Sequence, residues 1–129
     1  MHALRNIHAA LVPGSMLVDT QPISAHPPVT VNGAELGRLD MREWLETIRA
    51  VDDQVAVTLT AGLYAPVHER ELTVTSTFDD GPDCLEIAGS WQGTRVPPLL
   101  ATQLEATHEQ VALEQQIRLR LLRRAPDRA

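Results

Sequence analysis

The chain has 129 residues, the size of one domain, and 43% of them are apolar, enough for a hydrophobic core. Phe, Trp and Tyr supply only 3%, so Leu, Val, Ile and Ala must fill that core. The net charge of -6 argues against a nucleic-acid partner, and eleven basic side chains that are all arginine exclude a lysine Schiff base and a phosphate-loop lysine.

Residues 2 to 12 read as a helix, with Leu4, Ile7, Ala10 and Leu11 on one face, stopped by Pro13-Gly14. Residues 16 to 20 read as a short strand, apolar on both faces until Asp19, of the kind covered on both sides in parallel sheets. A proline loop over 21 to 28 follows. In "VTVNGAEL", 29 to 36, Asn32-Gly33 predicts a type I′ hairpin. Residues 41 to 61 predict the longest helix, with Asp40 as N-cap, Glu43 completing a capping box, and Gly62 as the terminating glycine. Residues 67 to 78 predict a strand with Leu72, Val74 and Phe78 on one face. Asp79-Asp80-Gly81-Pro82 opens a helix whose apolar face is Leu85, Ile87, Ala88 and Trp91, and Pro97-Pro98 opens another through about His108. Residues 111 to 123 alternate through Val111, Leu113, Ile117, Leu119 and Leu121, broken only by Gln115, which favours a strand. Leu113, Ile117 and Leu121 also fit a helix. Arg118, Arg120, Arg123, Arg124 and Arg128 then read as a solvated strand face and tail rather than a phosphate patch, because no aromatic residue interleaves them.

Recognisable chemistry is sparse. Cys84 is the only cysteine, which excludes an intramolecular disulfide and a cysteine metal cluster and fits a reducing compartment; inside a helix it reads as a buried, inert thiol. The histidines lack metal-helix spacing, and "DDGPD" at 79 to 83 is too short for a calcium loop of about twelve residues. No metal or cofactor is expected. Asp19, His26 in the proline loop and His68 in "HERE" are the candidates for acid or base work. Trp91 and Arg95 are the candidates for a substrate pocket. No apolar run approaches the roughly 18 residues of a membrane span, and the first residues lack a signal peptide's apolar stretch, so a cytoplasmic protein without a membrane partner is expected.

The order helix, strand, hairpin, long helix, strand, helical insertion, strand resembles the C-terminal half of class I S-adenosylmethionine-dependent methyltransferases. "LRNIHAALVPGSMLVDTQP" is similar to that family's helix and fifth strand, where a Leu-x-Pro-Gly-Gly turn precedes an apolar strand; Ser15 stands for the second glycine. "RELTVTSTFDD" and "LEQQIRLRLLRR" resemble its last two strands, and "IAGSWQGTRVPPLL" a substrate-side insertion. The resemblance implies an α/β fold: a small mixed, three-layer-type sheet of about three main strands plus a hairpin, with helices, like the C-terminal part of a Rossmann-like methyltransferase, and with the last strand between the fifth and sixth. The family's glycine-rich loop and ribose-binding acid have no counterpart here, so no cofactor-binding residue carries over. The expected protein is a single-domain methyltransferase-like module, truncated relative to the family and without methyl-donor binding. It is expected to form a homodimer through the edge left bare at Met16-Thr20, or to complement a separate protein partner. The alternative is a small-molecule enzyme with a pocket near the proline loop and the 82-to-108 helices.

Overall fold

The computed structural model describes residues 13–126. In chain order they form β1 (Met16–Pro22), β2 (Pro28–Val31), β3 (Ala34–Arg38), α1 (Arg42–Thr60), β4 (Tyr64–Phe78), α2 (Gly81–Gly89), α3 (Pro98–Glu105) and β5 (Val111–Arg124). The helix expected over 2 to 12 lies outside the described residues.

β5 organises the sheet. One edge pairs with β4 along the whole strand, from Phe78↔Val111 to Tyr64↔Arg124. Its other edge is shared: β1 takes the C-terminal half, from Pro22↔Ile117 to Met16↔Arg123, and β2 takes Ala112 and Leu113. The β2–β3 hairpin turns at Asn32 (φ 51°) and Gly33 (φ 80°), the two left-handed residues that the type I′ turn requires. The α/β class holds, but every described pairing is antiparallel. The sheet, expected to be mixed with about three main strands plus a hairpin, is one five-stranded antiparallel sheet in which the hairpin supplies two strands.

β5 changes its buried face halfway along. Val111, Leu113 and Gln115 are buried in the first half, whereas Leu122 and Arg124 are buried in the second. Odd and even positions of a strand point to opposite faces, so the two halves are covered from opposite sides. Over the first half, Cys84 and Ala88 of α2 and Leu100 and Leu104 of α3 pack with Val111 and Leu113. Over the second, Val51, Val55 and Leu59 of α1 pack with Tyr64, Leu122 and Leu17. The apolar alternation in β5 thus did not mark one continuous inner face: Ile117, Leu119 and Leu121 are only half-buried.

Helix ends follow local chemistry with one exception. Asp80 caps α2 by accepting from the Asp83 backbone N–H at 2.8 Å, with Pro82 in the first turn. Gly81 lies so close to α3 that a Cβ there would sit 1.8 Å from the Leu104 carbonyl oxygen. Cys84 takes the inner position expected of Ile87, which is 39% exposed. The exception is α1. Met41, not Asp40, is its N-cap, and no side chain caps it. The capping box does not close, because the Asp40 N–H donates to the Arg95 carbonyl at 2.9 Å rather than to Glu43. β4 begins three residues earlier than the sequence suggests, at Tyr64, and carries an extra residue, Val67, where the register jumps from Pro66↔Leu122 to His68↔Leu121.

Candidate functional site

Three segments meet at the start of α1. The Asp40 and Arg95 backbones exchange two hydrogen bonds, at 2.9 and 2.8 Å, and the Trp44 N–H donates to the Gly93 carbonyl at 3.2 Å. Gly93 makes this approach feasible: its φ is +69°, and a Cβ would lie 2.7 Å from the Trp44 nitrogen. Across the gap, the Trp44 indole N–H donates to the Pro22 carbonyl at 3.1 Å, tying α1 to the end of β1. These ties leave an open cleft of about 400 Å³ lined by Pro22, Met41, Trp44, Trp91, Thr94 and, from β5, Gln115.

The lining is apolar with a few polar groups. Gln115 is 8% exposed, and among the described residues its side chain makes one hydrogen bond, to the Met41 sulfur at 3.5 Å. A thioether is a weak acceptor, so this amide is poorly satisfied for its depth. The Thr94 hydroxyl is buried and has no hydrogen-bond partner among the described residues. Such groups are costly unless something meets them. Gln92 completes the wall, and no described lining residue carries an ionisable side chain.

Of the two pocket candidates, Trp91 lines this cleft and Arg95 does not. Arg95 is 77% exposed, 3.6 Å from Glu43, and lines a neighbouring charged hollow with Asp40, Arg42 and Glu46. There Arg42 donates to Asp40 through its side chain at 2.8 and 3.0 Å and through its backbone N–H at 3.1 Å. The guanidinium first, then the backbone donor, hold the Asp40 carboxyl down at about 2.

The three acid–base candidates do not gather. His26 is exposed in the proline loop, where its carbonyl accepts from Arg38. His68 is exposed on β4, beside a shallow hollow that Glu69 and Arg120 also line. Asp19 is held in a charged network beneath α1. Arg120 donates to it at 2.8 Å through Nε and also reaches Asp52 at 3.0 Å, while Arg118 grips Asp52 with two bonds of 3.0 and 2.7 Å. The arginines of β5 are therefore not all solvated: the side chains of Arg118 and Arg120 are 15% and 11% exposed. Asp19 and Asp52 lie opposite them on β1 and α1, an arrangement of fork-shaped donors on carboxylates that favours arginine over lysine.

Cys84 is buried, and burial, reinforced by the nearby Asp83 charge, pushes its thiol up to about 11. It is an inert thiol at neutral pH. Among the described residues, no group of three or more His, Cys, Asp or Glu side chains could hold a metal ion, and no helix is long and apolar enough to cross a membrane.

Sequence reasoning missed Gln115, Met41 and Thr94 as cleft residues. One signal was present: Gln115 is the single residue that breaks the apolar alternation of β5, and it is buried at the cleft. The chain matches no protein-family model, no curated protein and no solved structure.

Proposed function

We propose that this chain is a methyltransferase-like module that does not bind the methyl donor itself and acts as a homodimeric or partner-binding protein. The observation that carries the reading is the strand order. β5 lies between β1 and β4 and runs antiparallel to both, the arrangement that the resemblance implies for the family's fifth, seventh and sixth strands. The insertion between β4 and β5 folds as two helices over one end of the sheet, in keeping with a substrate-side element.

The homodimer reading draws on β1. Among the described residues β1 pairs with β5 alone, leaving its other edge without a strand. Val18, directly opposite Leu121, is 58% exposed, and Met16 is 40% exposed. An apolar strand edge of this kind is a template for a second chain, and a second copy placed against Met16–Thr20 by a two-fold axis would cover it.

The acid–base enzyme reading has less support, because Asp19, His26 and His68 lie apart and none of them lines the tryptophan cleft. The experiment is calorimetric titration of the full chain with S-adenosylmethionine. The expected result is no binding heat at concentrations where the family's donor pocket would saturate; saturable micromolar binding would overturn the reading.

A further inference from the structure

We propose that the cleft between Trp44, Trp91 and Gln115 is a binding site for a small, neutral, planar ring carrying a hydrogen-bonding carboxamide or an equivalent donor–acceptor edge. The inference rests on the cleft alone and does not depend on the methyltransferase-like reading.

Shape is the first argument. The cleft, about 400 Å³, is within the range of small-molecule sites, which run from about 300 to 1,000 Å³. The chain's two tryptophans both line it, although they come from separate segments, one in the first turn of α1 and one just after α2. Indole faces favour flat ligands, which they contact over a large area at little entropic cost.

Preorganisation is the second. The Asp40–Arg95 pair of backbone bonds, the Trp44–Gly93 bond and the Trp44–Pro22 bond fix the walls relative to each other. A ligand entering a wall already held by backbone bonds loses less affinity to ordering of the protein.

Unmet polarity is the third, and it sets the ligand's chemistry. Gln115 offers both an amide donor and a carbonyl acceptor, yet among the described residues its side chain is bonded only to the Met41 sulfur. The Thr94 hydroxyl is buried without a partner among the described residues. A carboxamide on the ligand can donate to the Gln115 carbonyl and accept from its amide, a reciprocal pair that a hydrocarbon ring cannot make. A charged ligand is disfavoured, because no described lining residue carries a compensating charge.

The test uses the full chain labelled with nitrogen-15, titrated separately with benzamide, toluene and benzoate while the two indole N–H signals and the Gln115 side-chain amide are followed by NMR. Benzamide is expected to shift all three signals and to bind at least about fivefold more tightly than toluene or benzoate, the weight of about one net hydrogen bond. Gln115→Leu keeps the volume and removes the amide. It is expected to abolish the preference for benzamide over toluene while leaving toluene binding unchanged. Thr94→Val removes a hydroxyl that has no partner among the described residues, so it should keep or raise Tm, yet weaken benzamide at least about twofold. The proposal is overturned if benzamide leaves both indole signals unmoved, if toluene binds as well as benzamide, or if both variants keep the wild-type preference with native spectra. An adventitious apolar surface would give that second result.

Discussion

The two halves of β5 solve burial in different ways. The first half, Val111 to Gln115, lies under α2 and α3 in an uncharged core where Leu104, Val111 and Leu113 are fully buried. The second half, Ile117 to Arg124, lies under α1 in a smaller apolar cluster and is completed by the Arg118–Asp52 and Arg120–Asp19 pairs. Its opposite face carries the half-buried Leu119 and Leu121 beside the exposed Val18. The lesson is that one strand, paired on both edges, can have its apolar face fully buried at one end and, among the described residues, only half-buried at the other. The comparison also separates two physical regimes, packing at one end and paired charge at the other.

The sharpest way to break the first half is at its tightest approach. Gly81→Ala would force a Cβ into the Leu104 carbonyl and should cost about 3 kcal/mol or more in chemical denaturation, at the high end for overpacking. Leu104→Ala removes a fully buried side chain from the same contact and should cost about 3 kcal/mol by the same measurement.

At the other end, Asp52→Asn leaves Arg118 and Arg120 without one of their carboxylates and should cost about 2 kcal/mol. Asp19→Asn should cost less, about 1 kcal/mol, because Arg120 keeps Asp52 at 3.0 Å, whereas Arg118 has both of its bonds to Asp52 to lose. If Asp19→Asn costs more than Asp52→Asn, Asp52 is not the shared anchor of the network.

Smaller effects follow from titration. The Cys84 thiol has its folded value raised from 9.0 to about 11, so its contribution is complete below pH 9 and is lost as the pH rises from about 9 to 11. At neutral pH, Ellman's reagent should label Cys84 only at the rate of unfolding. Asp40 is the reverse case: lowered from 3.8 to about 2, it contributes above pH 4 and loses that contribution as the pH falls toward 2. Its partner Arg42 is largely solvent-exposed, so Asp40→Asn should produce only a slight flattening of the acid limb of the Tm profile.

Local chemistry was legible in the sequence wherever neighbours along the chain decide it. The Asn32-Gly33 turn, the helix now spanning Arg42–Thr60 and the start of α2 at Asp80 all emerged from a few adjacent residues. The ambiguous last segment is a strand because β4 and β1 offer it partners on both edges. What was not legible depends on distant contacts. The arginines of β5 looked solvated because their carboxylates are on other elements, 66 and 101 residues away in sequence. The hairpin's membership of the sheet rests on just two pairs, Val29↔Leu113 and Thr30↔Ala112. The Gln115 cleft depends on Met41 and Trp91, and nothing local to β5 signals either. Trp91 was visible as a candidate pocket wall, whereas Arg95 went to the neighbouring hollow because the backbone bridge to Asp40 separates the two.

The central claim, proposed above, is that a second copy of the chain covers the β1 edge beside the half-buried end of β5. Size-exclusion chromatography with light scattering at micromolar concentration tests it directly. The account predicts a mass of twice the 14.2 kDa chain; a stable species at the single-chain mass would contradict it.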